Sequence, residues 1–144
     1  MARSTFGQVA NTPASGAALL GRARAALDDA VRCSDDGERF RMAHLAALRT
    51  AAAVLAERGR PSAARRKLVS VWVLIDAVAP EYSDWAGYFA AGAALRAAVE
   101  AGARHAVTAR AADDQVRAAG DFLRLVERAL GMLGTQWPAE PLAS

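Results

Sequence analysis

Apolar residues recur at helical spacing in blocks along this chain, and the blocks are separated by polar or Gly/Pro breaks. In the first, Leu19, Leu20, Ala23, Leu27, Ala30 and Val31 form a stripe, while Arg22, Arg24, Asp28, Asp29 and Arg32 take the other side. Thr12-Pro13 supplies an N-cap followed by proline at the first helical position, so a helix is predicted to open there and end near Cys33. A second helix is predicted from Ser34 or Asp35 as cap, with Glu38 in its first turn, to about Arg58. Its apolar face is Phe40, Ala43, His44, Ala47, Leu48, Ala51, Val54 and Leu55, and Gly59 is its stop, with Pro61 beyond. The many alanines let a neighbouring helix approach closely.

From Arg58 to Lys67 the period disappears, and Arg58, Arg60, Arg65, Arg66 and Lys67 cluster around Pro61 and Ser62 as a basic connecting loop. Leu68 to Val78 is an apolar run open to a strand or a buried short helix. No second strand candidate exists to pair with it, so a helix is predicted, ended by Ala79-Pro80. Tyr82-Ser83-Asp84 opens a fourth helix, whose Trp85, Tyr88, Phe89, Ala93 and Leu95 are expected at the centre of the core before Gly102 breaks the pattern. Thr108 caps a last helix in which Ala112, Val116, Ala119, Phe122, Leu123, Val126, Leu130 and Leu133 hold the period. The expected architecture is all-α: a single-domain antiparallel helical bundle of about five helices over residues 13–134. A flexible, polar N-terminus, 1–12, and a Pro-containing tail, 135–144, either loose or docked through Trp137, are expected to flank it.

Composition agrees with one domain: 144 residues suffice for a core, and 53% are hydrophobic but only 6% aromatic, because alanine dominates. A net charge of +3 permits an acidic partner but falls short of the dense positive stripe of dedicated nucleic-acid binders. The single cysteine, Cys33, makes no intrachain disulfide and has no ligand-spaced neighbour, which fits a reducing cytoplasm and no metal. Met1 to Thr12 lacks the apolar core of a secretory signal, and runs such as Trp85 to Leu95 fall short of the roughly 20 residues of a membrane span. A cytoplasmic protein without membrane insertion is expected.

Candidate chemistry is sparse. His44, His105 and Cys33 are the near-neutral titrators, and no phosphate loop, nucleophile elbow, zinc motif or Cys-x-x-Cys pair is present, so no cofactor is expected. His44 sits on the apolar face of the second helix as an interhelical histidine, His105 reads as an exposed loop residue, and Cys33 as an inert thiol. Asp35-Asp36 and Asp113-Asp114 are explained by the positive ends of helix dipoles. Trp85, Tyr88 and Phe89 read as core. The basic residues Arg58, Arg60, Arg65, Arg66 and Lys67 are candidate nucleic-acid contacts, although no aromatic side chains interleave with them.

The strings Ala43-His44-Leu45-Ala46-Ala47-Leu48-Arg49-Thr50-Ala51-Ala52-Ala53-Val54-Leu55, Ser70-Val71-Trp72-Val73-Leu74 with Ala79-Pro80, Trp85-Ala86-Gly87-Tyr88-Phe89-Ala90-Ala91-Gly92-Ala93, and Val107-Thr108-Ala109-Arg110-Ala111-Ala112-Asp113-Asp114 leading to Phe122-Leu123 resemble the actinobacterial SAV-type HEPN group in order and spacing. The resemblance covers residues 14–131 and rests mostly on packing positions. It implies a helical bundle, often dimeric, in a superfamily of RNA-cleaving toxins, RNA-processing nucleases and non-catalytic binding relatives. Active members carry an Arg and a His separated by about four to six residues late in the domain, and two copies meet across a dimer. Here Arg96 and His105 are separated by eight residues, and Arg104 directly precedes His105, so neither pair keeps the spacing. Arg39 and His44 have four residues between them but stand at the start of the second helix, a coincidental match. The resemblance therefore implies a non-catalytic module that binds a protein partner, with RNA or a nucleotide as a further ligand. The alternative is a metal-independent RNase active as a homodimer through His105 with Arg104 or Arg96.

Overall fold

The computed structural model describes residues 15–59, 70–103 and 105–131. Among them stand six α-helical segments and no strand: α1 (Gly16–Arg32), α2 (Asp36–Arg58), α3 (Val71–Val78), α4 (Ser83–Ala91), α5 (Ala93–Glu100) and α6 (Ala109–Ala129). A 3-10 turn, Pro80–Tyr82, joins α3 to α4. The all-α bundle expected from the periodicity is the observed architecture. Gly92 alone separates α4 from α5, so the predicted fourth helix is one run bent at a single residue.

Local chemistry sets the helix ends. Asp35 accepts a hydrogen bond from the Glu38 N–H at 2.8 Å and Thr108 from the Ala111 N–H at 3.0 Å, each satisfying a first-turn donor that has no partner inside the helix. Ser15 does the same for α1 through the Ala18 N–H. Thr12 and Pro13, expected to open that helix, lie outside the described residues, as do Leu133 and both expected domain boundaries. α2 stops at Gly59, whose φ of 89° would strain any residue with a Cβ.

α2 is the hub: it packs against α1, α6, α3 and α5. The predicted stripe covered one face, but burial extends to Ala46, Thr50 and Ala53 on the others, because neighbours surround the helix. Thr50 is tolerated inside because its hydroxyl donates to the Ala46 carbonyl at 2.8 Å, meeting its polar requirement within the helix. The three-residue turn Cys33 to Asp35 folds α2 back along α1, and Arg24 on the flank of α1 pairs with Glu127 of α6 at 2.7 Å. Val31, assigned to the apolar stripe of α1, is 64% exposed, whereas Ala30 beside it is fully buried; adjacent helical residues diverge by about 100°, so Ala30 turns inward and Val31 outward.

The centre of the core is aromatic. Phe89 of α4 and Phe122 of α6 are completely buried with ring centroids 5.6 Å apart. Trp72 stacks on Phe89 at 5.4 Å, Trp85 stacks on Phe122 at 5.5 Å, and Tyr82 meets Phe122 edge-on at 5.8 Å. Tyr88, also expected in the core, is instead 44% exposed: adjacent helical residues diverge by about 100°, so Phe89 turns inward and Tyr88 turns out. α5 contributes no fully buried residue and covers a smaller cluster of Phe40, Val107 and Ala112 through Leu95 and Val99. Among the described residues no helix is long and apolar enough to cross a membrane.

Because Phe122 touches three other rings at zero exposure, Phe122→Ala is expected to lower the unfolding free energy by about 3–5 kcal/mol. Urea denaturation measures it, and a loss under about 1 kcal/mol would contradict this packing.

Candidate functional site

Arg39 and His44 are five positions apart on α2 and diverge in direction. All three guanidinium nitrogens of Arg39 are engaged: Nη2 donates to Asp36 at 2.8 Å, Nε to Asp113 at 3.1 Å, and Nη1 to the Cys33 and Ser34 carbonyls at 3.1 and 3.4 Å. The side chain thereby fastens the α1–α2 turn to α6. Burial opposes its charge, but Asp36 and Asp113 outweigh that and hold its pKa above the ordinary value.

His44 is 1% exposed, with its ring centroid 6.1 Å from that of Trp72 and 6.3 Å from those of Phe40 and Phe89. Its Nε2 lies 2.9 Å from the Phe89 carbonyl oxygen. A carbonyl can only accept, so Nε2 carries the proton and donates across to the end of α4. Burial, reinforced by the Arg96 charge, lowers the His44 pKa against the opposing influence of the Phe89 carbonyl and Glu100. This is the interhelical histidine its position predicts: a neutral ring that holds α4 to α2, with Nδ1 buried and without a hydrogen-bond partner among the described residues.

No described contact brings the later basic residues together. Arg96 stands on α5 with Nε 3.8 Å from a Glu100 carboxylate oxygen, and that Nε is buried without a hydrogen bond among the described residues. His105 is exposed on the turn between α5 and α6, and no hydrogen bond or ion pair joins it to Arg96. Arg104 lies outside the described residues, as do Arg60, Arg65, Arg66 and Lys67. Arg58, expected both to end the second helix and to open the basic loop, is the last residue of α2, paired with Glu81 and set 5.9 Å over the Tyr82 ring. The hydrogen bond from Arg58 holds the Glu81 carboxyl below its usual range. Among the described residues no group of three or more His, Cys, Asp or Glu is placed to hold a metal ion.

The acidic pair on α6 has side-chain partners that a helix-dipole explanation misses. Asp113 and Asp114 lie beyond the first turn of α6, too far for the dipole to account for them; Asp113 meets Arg39 and Asp114 meets Arg117 at 3.1 Å. Asp114 also lines a cleft of about 490 Å³ between α4 and α6, with Asp84, Trp85, Tyr88, Arg117 and Asp121. A smaller hollow of about 280 Å³ at the α4–α5 bend shares Tyr88 and Asp114 with it and reaches Phe40, Gly92, Leu95 and Gln115. Burial and the Asp114 charge raise the Tyr88 pKa against Arg117, so its hydroxyl stays protonated and able to donate. Asp121 pairs with Arg124 at 2.5 Å, whereas Asp84 has neither ion pair nor hydrogen bond among the described residues. Sequence reasoning assigned Trp85, which does pack on the core, and Tyr88, which does not, to the interior alone and missed this cleft. The signal was there in Asp114, Ala118 and Asp121 on one face of α6, and in Asp84 and Tyr88 one turn apart on α4.

A family model described as SAV_6107-like HEPN matches residues 30–127, from the end of α1 through most of α6. The chain belongs to this HEPN family. No curated protein and no solved structure matches it. Within the HEPN span lie the Arg39–His44 pair, Arg96, His105 and the whole α4–α6 cleft, so the family assignment covers every described candidate. It also covers the two polar ties, Arg39 and His44, that hold the bundle's elements in register.

Two consequences follow for this HEPN bundle. Arg39→Ala removes the tie to Asp36, Asp113 and two carbonyls; because both carboxylates are solvent-exposed, it is expected to cost about 1 kcal/mol in chemical denaturation, and a neutral result would mean the tie contributes nothing. For His44, the folded pKa lies below the ordinary 6.5, so the unfolded chain binds the proton more readily. The contribution to stability is full above about pH 6.5 and is lost as pH falls from there through the folded value. His44→Leu should begin less stable at neutral pH but show a flatter profile on acidification; parallel profiles would rule out His44 as the source.

Proposed function

We propose that this HEPN protein is a non-catalytic helical binding module acting through a protein partner. The observation that carries the reading is that the late candidates Arg96, Arg104 and His105 do not keep the family's spacing, while the one pair that does, Arg39 and His44, is committed to holding the fold. Metal-independent RNA cleavage requires a histidine that exchanges protons with a ribose hydroxyl and a leaving oxygen, and an arginine free to meet the phosphate charge. Arg39 has every nitrogen committed to carboxylates and carbonyls, and the buried His44 is held neutral against a carbonyl. Recognition is left to the surface, where Val31, Val73, Tyr88 and Leu125 are large apolar side chains exposed to solvent. RNA or a nucleotide is a further ligand class through Arg60, Arg65, Arg66 and Lys67, with an affinity that falls steeply with salt.

The exposure of His105 on the α5–α6 turn favours a second reading, a metal-independent RNase active as a homodimer through His105 with Arg96 or Arg104. Incubation of labelled single-stranded RNA without metal, with wild type, His105→Ala and His44→Ala, separates the two. No cleavage by wild type is expected. Cleavage abolished by His105→Ala would overturn the binding-module reading.

A further inference from the structure

We infer that α5 is a flap that swings off the first two turns of α2 while the rest of the bundle stays folded, and that uptake of a proton at His44 Nδ1 favours the open form. The inference goes beyond the binding-module reading and does not depend on it. The three buried side-chain atoms without a hydrogen-bond partner among the described residues, His44 Nδ1, Arg96 Nε and Gln115 Nε2, all border this one short helix. Arg96 stands on α5 itself. The His44 ring lies at its start, with Cδ2 3.6 Å from where a β-carbon on Gly92 would sit, and Gln115 shares the hollow at the α4–α5 bend with Gly92 and Leu95. Buried polar groups are nearly always paired, and each one left unpaired favours a form that admits water. The apolar contacts holding α5 down are small in comparison with the main core. It buries no residue completely, and its contribution is Leu95 and Val99, which lie against the minor cluster of Phe40, Val107 and Ala112. Its ends are glycine joints: Gly92, the N-cap, gives its first turn no side-chain hydrogen bond, and Gly102 beyond its last turn has φ 99°. Opening therefore gives up the minor cluster and leaves the rings of α3, α4 and α6 packed as they are.

The two nitrogens of His44 respond differently to this motion. Nε2 donates to the Phe89 carbonyl of α4, a bond that survives the departure of α5, whereas Nδ1 is the atom that opening brings to water. The groups facing the ring are Trp72 from α3, the Phe89 ring and carbonyl from α4, Phe40 from its own helix, and the charges of Arg96 and Glu100 from α5. Burial lowers the His44 pKa against the Phe89 carbonyl, helped by Arg96 and opposed by Glu100. Swinging α5 away relieves the burial and removes both charges, so the open form binds the proton more readily and acid populates it. One proton multiplies the opening equilibrium by at most about tenfold per pH unit below the ordinary histidine pKa.

Native-state hydrogen exchange of the full chain, followed amide by amide in low urea, reads the opening. The amides of Arg96 to Ala101 are expected to exchange together, at least about a hundredfold less protected than those of Phe122 and Leu123, and with little dependence on urea. Lowering the pH from about 7.5 to about 5.5 should cut their protection by up to about tenfold after correction for intrinsic exchange. The chain has two histidines, so His105→Ala, on the exposed turn, should keep this response. His44→Gln, whose amide can still donate to the Phe89 carbonyl, should lose it. Arg96→Met keeps the apolar stem and removes the buried Nε, and should raise the protection of α5 about tenfold. Protection of α5 equal to that of α6, exchange only along the steep urea slope of whole-bundle unfolding, or unchanged protection in Arg96→Met would overturn the flap. A wild type without the pH response, its loss in His105→Ala, or its persistence in a His44→Gln variant shown to be folded by circular dichroism would overturn the role of His44.

Discussion

Helix α2 has to be shared by neighbours on nearly every side, and alanine makes that possible. Ala43, Ala46, Ala47, Ala51 and Ala53 are wholly buried and end at the β-carbon, so α1, α6 and α3 can close on α2 without long side chains holding the axes apart. A helix enclosed in this way cannot carry polar groups unless each is answered locally. Thr50 answers itself through the Ala46 carbonyl, and His44 reaches a carbonyl at the end of α4. Arg39, at the rim, uses its charge to clamp the α1–α2 turn onto α6. The bulk that alanine does not provide comes from the rings of α3, α4 and α6, which fill the space on one side of the hub.

That division explains which parts of the fold could be read in advance. Asp35, Thr108 and Gly59 act on the backbone within a few residues of themselves, so their roles as caps and stop are legible locally. The long periods of α2 and α6 are equally local. The break at Gly92 is not: a glycine inside a helical pattern has several readings, and the close approach of Phe40 and His44 to this one comes from far away in sequence. Val31 and Tyr88 show the same limit, since periodicity reports that a side chain is apolar and on a stripe, but only the neighbouring helix decides whether that stripe is covered.

The candidate site was legible to a lesser degree. His44 was placed correctly because an apolar helix face around a histidine leaves little choice, and the match of Arg39 to the family spacing was discounted because the residues stand too early in the chain. The structure adds the physical ground, a guanidinium already saturated by Asp36, Asp113 and two carbonyls. The α4–α6 cleft escaped notice because it is assembled from two helices about thirty residues apart, and each contribution alone has a routine explanation. Carboxylates near a helix start and aromatics in an apolar block become a surface only when α4 and α6 are brought side by side by Phe89 and Phe122.

Gly92 has a φ of −83°, a value open to every amino acid, so its selection is a matter of room. A β-carbon there would sit 3.3 Å from the tip of the Phe40 ring, tighter than ordinary packing by a few tenths of an ångström, and 3.6 Å from the His44 ring. Room for an alanine at this corner is thus set from another helix: the Phe40 ring has to give by a few tenths of an ångström, and a smaller side chain at position 40 would supply that room. The two positions form a linked pair in sequence space, each limiting what the other can become.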